Sequence, residues 1–187
     1  NAGFIKTCKE LGYTPEIVAT DGSDAAEVLS LAEAALSRKL KNQTLIDLLY
    51  FLYEKFGIFL EETLSISLPE GMEGKKQLDS LMEKWRKNPP LQLGGLDVLS
   101  IEDYQKQRGY DFLTKKEFPL SLPISNVLLF HLQNKGKVVI RPSGTEPKIK
   151  IYFEAHEKDF ATVEEGLKKC KEQMNILIQD VKEKLHN

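Results

Sequence analysis

Cysteine, histidine and tryptophan are scarce in this chain of 187 residues, numbering two, three and one. Cys8 and Cys170 cannot build a disulfide framework, and without a Cys-x-x-Cys there is no zinc ribbon or redox pair. His131, His156 and His186 lack ligand-spaced partners, so they are expected at solvated or edge-strand positions and not on a metal. Charge of one sign is missing too. The 26 Lys+Arg nearly balance 28 Asp+Glu, for a net charge of −2, and no long basic run occurs. That removes the field that draws nucleic acid or an anionic membrane, and neither is expected as a partner. No apolar run approaches the roughly 18 residues of a membrane span. The greasiest stretch, Leu48 to Leu60, is cut by Glu54, Lys55 and Gly57. A reducing cytoplasm is the expected setting. There is also no Gly-x-Ser-x-Gly elbow and no P-loop.

What is present is a foldable chain, with 41% hydrophobic and 29% charged residues, enough to bury a core. It opens at Asn1 in what reads as a helix already under way, without a basic n-region or an apolar h-region. A piece of a longer protein is the expectation. A short strand is conceivable at Ile17–Ala19. Ala25 to Leu40 carries Val28, Leu29, Ala32, Ala35 and Leu36 at helical spacing. Thr44 and Asp47 form a near capping box ahead of a stripe from Leu45 to Phe56, and Gly57 sits where a helix ends. Leu64, Ile66 and Leu68 then alternate with polar residues as in a half-buried strand. A helix with Leu78, Leu81, Met82 and Trp85 on one side stops at Asn88-Pro89-Pro90.

Further strands are expected at Leu96–Ile101, Asn126–Leu132, Lys137–Arg141 and Lys148–Glu154, with a tight Asn134-Lys-Gly hairpin between the second and third. Asp103 to Pro123 reads as a long, mobile loop. The last helix sets Leu167, Cys170, Met174, Leu177, Val181 and Leu185 on one seam. The expected class is α+β: a largely antiparallel sheet with both helices on one face, preceded by a mainly helical portion.

One segment offers chemistry. Arg141-Pro142-Ser143-Gly144-Thr145-Glu146-Pro147 lies between two predicted strands. A phosphate dianion needs converging donors and a fixed positive charge. Arg141 supplies a fork, Ser143 and Thr145 supply hydroxyls, and Gly144 lets backbone N–H groups approach. Lys150 lies on the returning strand beside Lys148 and Tyr152 and adds a second charge. The residues alone leave two readings, an anion site and an ordinary turn.

The run from Arg141 through Lys148-Ile-Lys-Ile-Tyr-Phe153 resembles the phosphate-binding loop of the α-D-phosphohexomutases, the phosphoglucomutase/phosphomannomutase superfamily. Leu52-Tyr-Glu-Lys-Phe-Gly57, Met82-Glu-Lys-Trp-Arg86, Gly94-Gly95, Asp103-Tyr104 and Ser125-Asn-Val-Leu128 look most like the phosphoglucomutase branch. The resemblance implies that residues 1–57 end the family's third domain. Residues 58–187 would form its C-terminal phosphate-binding domain, a TATA-box-binding-protein-like fold. It implies interconversion of hexose 1-phosphate and hexose 6-phosphate through a phosphoserine and a bisphosphate intermediate, with Mg²⁺ as cofactor and glucose 1,6-bisphosphate as activator.

The implied partners are the phosphosugar substrate and the missing N-terminal domains of the same protein. Arg141, Ser143, Gly144, Thr145 and Lys150 would hold the phosphate that is not transferred. A terminal domain of this kind is expected to hinge near Gly57 to Glu62. No Thr-Ala-Ser-His-Asn-Pro, Asp-x-Asp-x-Asp-Arg or Gly-Glu-Glu-x-Gly segment occurs. No catalytic or metal-binding residue is therefore assigned, and this part is expected to be inactive alone. Asp21 and Asp24 read as helix-capping residues. The alternatives are a free-standing phosphosugar- or anion-binding module without catalysis, and an interaction domain in which the turn is structural.

Overall fold

A computed structural model of the chain describes residues 24–186. The helix expected at Asn1, the strand at Ile17–Ala19, Cys8 and Asp21 lie outside the described residues. The chain divides into two compact units, one ending at Lys55 and the other starting at Phe56.

The first unit shows α1 (Asp24–Lys39) and most of α2 (Leu45–Phe56). Thr44 and Asp47 close the expected capping box: the Thr44 N–H and hydroxyl both donate to Asp47 Oδ2, at 2.6 and 2.7 Å, and Asp47 N–H returns a bond to Thr44 Oγ1. These bonds hold the Asp47 carboxyl below the usual carboxylate range. Val28, Leu29, Leu36 and Ile46 are exposed, and no side chain of α2 is fully buried.

The second unit is built on an antiparallel sheet. Its strands are β1 (Ile58–Ser67), β2 (Gln92–Leu93), β3 (Leu96–Asp103), β4 (Arg108–Asp111), β5 (Lys116–Pro119), β6 (Leu128–Leu132), β7 (Lys137–Pro142) and β8 (Lys148–Glu157). Across the sheet the order is β1-β8-β7-β6-β3-β4-β5, with β2 on β3. Residues opposite one another share a face. The row Ile101, Phe130, Val138, Phe153 and the row Leu128, Ile140, Ile151 therefore stack on one side, and all seven are buried.

Both remaining helices cover that side. α3 (Met72–Lys87) buries Leu78, Met82 and Trp85, and sets the Trp85 ring edge-on to Phe130 at 5.6 Å. α4 (Val163–His186) buries Cys170, Met174, Leu177 and Val181, with Gly166 against Ile58. A seam at steps of three and four needs a flat apolar partner, and the sheet supplies it. The α+β class and the one-sided helices agree with the sequence.

Two expectations are corrected. Asp103 to Pro123 is not one long loop, because β4 and β5 pair there as a hairpin that widens the sheet. Asp111 Oδ1 accepts the Thr114 N–H at 2.7 Å to fix its turn. Gly109 leaves room for the Phe118 ring, which would stand 2.1 Å from any Cβ placed there. Residues 58–62, where a hinge is expected, pair with β8 one for one and Ile58 is fully buried, while the boundary between the two units falls just before them, between Lys55 and Phe56. Finally, His156 is neither solvated nor at an edge. It is buried in β8, a strand paired on both sides; its Nδ1 lies 2.7 Å from the Asn134 carbonyl and its ring 4.2 Å from Phe59.

Candidate functional site

β7 ends and β8 begins at prolines or their neighbours, and the segment between them is tied at its base only. Ser143 N–H donates to the Lys148 carbonyl at 2.8 Å, Lys148 N–H to Glu146, and Leu68 N–H to Pro147 at 2.8 Å. Lys148 Nζ also pairs with Glu146 at 3.0 Å. Pro142 and Pro147 have no N–H to contribute to the ladder, so pairing stops where they stand. Among the described residues, the N–H groups of Gly144, Thr145 and Glu146 and the hydroxyls of Ser143 and Thr145 make no hydrogen bond. That leaves a tip dense in unspent donors.

The two cations lie on the face of the sheet away from the helices. Arg141 is directly opposite Lys150 in the β7–β8 register, while Pro142 and Ile149 point to the helical side. Arg141 is exposed and sits over the Tyr152 ring, 5.8 Å from its centroid. Neither Arg141 nor Lys150 has a carboxylate within 4.0 Å among the described residues. Like charges opposite each other in a sheet repel, and here no acid relieves them.

Ser143, Gly144 and Thr145 border a cavity of about 380 Å³ whose other walls include Gly71, Lys75 and Asp79 of the α3 region and Asn126. Arg141 and Lys150 do not line it. The five predicted residues thus divide into three at the cavity and two on the open face. Lys75 and Asn126 were missed by the loop motif because they come from other segments. The only signal was Asn126's place in the Ser125–Leu128 match.

A larger cavity of about 580 Å³ near Asn134 and Lys169 is less suggestive. There Lys169 is already paired with Glu165, and Glu157 accepts the N–H groups of Lys158 and Asp159. Elsewhere on the open face Glu102 takes the Tyr104 hydroxyl at 2.5 Å and meets His131 Nε2 at 3.0 Å. Cys170 is buried, its Sγ 3.4 Å from the Ala155 carbonyl; burial pushes its thiol up, which removes it as a nucleophile. Among the described residues no group of three or more His, Cys, Asp or Glu side chains is placed so as to hold a metal ion. No described helix is long and apolar enough to cross a membrane.

Residues 94–175, which include the whole loop, match the family described as phosphoglucomutase/phosphomannomutase, C-terminal domain. The chain belongs to the phosphoglucomutase/phosphomannomutase superfamily. Within it, the phosphoglucomutase branch is indicated by curated relatives. The phosphoglucomutase of Staphylococcus aureus (strain bovine RF122 / ET3-1) is 39% identical over 142 residues, covering 75% of this chain and 25% of that protein. The phosphoglucomutase of Staphylococcus saprophyticus is 36% identical over 143 residues, covering 76% and 25%. The chain therefore spans about a quarter of the length of the phosphoglucomutases it matches. The open form of parafusin from Paramecium, a solved phosphoglucomutase structure, aligns with 93% of this chain and 32% of its own. Its TM-score of 0.44 and 17% identity give it no weight for the fold.

Proposed function

We propose that this chain is the phosphate-gripping C-terminal part of a phosphohexomutase, a phosphoglucomutase, and that the Arg141–Pro147 loop holds the phosphate that is not being transferred. The observation that carries the reading is the Arg141–Lys150 pair: two cations opposite one another, without a carboxylate, beside a loop tip with unspent N–H and hydroxyl donors. A phosphate dianion removes the repulsion and satisfies the donors together.

In this reading the loop contributes positioning. It fixes one end of a hexose phosphate so that the other end presents its oxygen to a phosphoserine, and the bisphosphate intermediate is held by either phosphate in turn. Arg141 offers two parallel N–H bonds, Gly144 lets backbone N–H groups approach, and Ser143 and Thr145 close over the remaining oxygens. Mg²⁺, which when bound supplies charge neutralisation at the transferring phosphoryl group, belongs to another part of the protein, as does the phosphoserine. Residues 1–57 end the third domain and residues 58–187 are the last. The uncovered leucines and isoleucine of α1 and α2 fit a surface meant for the rest of a larger body. The setting is cytoplasmic, and the partners are the phosphosugar and the N-terminal domains.

The test is a titration of the chain with glucose 6-phosphate, followed by isothermal calorimetry, beside an assay with glucose 1-phosphate, glucose 1,6-bisphosphate and Mg²⁺. Binding without turnover is the expected outcome. Turnover above a no-protein control overturns the partial-enzyme reading, and absence of binding overturns the phosphate site.

A further inference from the structure

Three stretches quoted for their likeness to phosphoglucomutases have no part in the loop, yet the fold brings a residue from each together. Arg86 comes from the last turn of α3, Asp103 from the end of β3, and Asn126 from the segment before β6. Arg86 Nε lies 3.3 Å from both carboxylate oxygens of Asp103, and the two side chains are 5% and 12% exposed. Asp103 is held in turn, because its Oδ1 accepts the N–H groups of Gln105 and Lys106 at 3.1 and 3.4 Å. With one edge of its guanidinium fixed in this way, Arg86 donates through an Nη to Asn126 Oδ1.

That last bond decides which way the Asn126 amide faces. A guanidinium has donors only, so it accepts the oxygen end of the amide and rejects the nitrogen end. Nδ2 is left at the far corner of the same plane, and among the described residues it has no partner. Asn126 borders the cavity that Ser143, Gly144 and Thr145 border. An amide whose donor end is aimed by a buried ion pair is a preorganised donor, since its rotamer and its flip are settled before a ligand arrives.

Resting on the phosphate reading above, we infer that Asn126 is a further ligand-binding residue of the loop cavity, donating through Nδ2 to the phosphate end of the phosphosugar. Arg86 and Asp103 are its positioning residues. Lys75, which lines the same cavity and makes no ion pair among the described residues although Asp79 is four positions along its helix, supplies the positive charge on that side. The carboxylates of Asp79 and Glu146 also line the cavity; Glu146 is partly neutralised by Lys148. On the cavity side, then, a phosphate is read through directed donors more than through net charge.

The deciding variant is Asn126→Asp. It keeps the shape of the side chain and keeps an oxygen for Arg86, so the fold is preserved, but it replaces the Nδ2 donor with a carboxylate oxygen. Calorimetric titration with glucose 6-phosphate and, separately, inorganic phosphate is run on the chain, on Asn126→Asp and on Arg141→Ala, with thermal unfolding of each. The expected result is a loss of affinity of about tenfold or more for Asn126→Asp with Tm unchanged or raised. Arg86→Lys, which keeps the charge but not the fork, is expected to weaken binding while Asn126→Asp in the same background weakens it little further.

If Arg141→Ala loses binding and Asn126→Asp does not, the inference is overturned and the loop reading stands. If Asn126→Asp loses binding and Arg141→Ala does not, the cavity holds the ligand and the open-face half of the loop reading falls. If the parent chain binds neither probe, both are overturned.

Discussion

Gly57 lies against the imidazole of His156 so closely that a Cβ built on it would stand 2.6 Å from Nε2 and 2.9 Å from the Glu157 carbonyl. The residue also has φ +93°, a region costly for any side chain. Both effects push the same way. Gly57→Ala is expected to lower stability by about 2 kcal/mol or more, read as a drop in Tm of the unit that begins at Phe56. His156→Ala, by opening the space, is expected to recover part of that loss when combined with it; simple additivity in the double-mutant cycle rejects the contact as the cause.

Arg141 is expected to act on affinity and hardly on folding, since it stands exposed over Tyr152 with no carboxylate partner. Charge-assisted bonds of its kind are worth roughly 1.5–3 kcal/mol each, so Arg141→Ala should weaken glucose 6-phosphate binding about tenfold to a hundredfold. Arg141→Lys should fall between, having charge without the fork. A variant that binds normally, or one that chiefly unfolds, makes the loop structural.

Tyr104 gives the sheet an alkaline signature. Burial and the neighbouring Glu102 carboxylate, which takes its hydroxyl, push its pKa up to about 12. A group that holds its proton more tightly when folded stabilises the fold below the unfolded value near 10, and that contribution is lost as pH climbs towards 12. Absorbance at 295 nm should show a late tyrosine step near pH 12. Tyr104→Phe should abolish that late step; a late step that survives belongs to another residue.

At the acidic end the capping box offers the converse. The Thr44 bonds depress the Asp47 carboxyl, so its contribution to α2 is complete above the ordinary carboxylate range and fades as pH falls through the depressed value. Carboxyl carbon shifts followed by NMR should place Asp47 below the ordinary aspartate range. Thr44→Ala should move it up into the ordinary range, and no movement would mean the box does not persist in solution.

Much of this was legible because the periodicities were clean. The α4 seam and the alternation Ile149, Ile151, Phe153 each name a buried face without ambiguity, and the two together require a helix on a sheet. β4 and β5 were hidden for the opposite reason. Arg108-Gly-Tyr-Asp and Lys116-Glu-Phe-Pro are four residues each and mostly polar, so only the close approach of Phe118 to Gly109 marks them, and that is a contact between residues and not a pattern along the chain.

The loop residues were readable as a set, but their division was not. The strand pleat sends Arg141 to one face and its neighbour Pro142 to the other. Asn126 carries no chemistry that a motif would flag, and its meaning comes from Arg86, forty positions earlier.

Among the described strands β1 has a single neighbour, β8, so Ile58 at the start of the unit waits for Glu157 near its end. During synthesis the strand leaves the ribosome long before its partner exists, with Leu64 and Ile66 uncovered and one edge ready to pair with another chain. The Arg141–Pro147 loop is bound to the same schedule, because its base is closed by Lys148 and by the bond from Leu68 to Pro147. The site is thus among the last features to assemble. A chain stopped before β8 would carry the whole Arg141–Pro147 sequence and no loop, and its first risk would be aggregation through β1.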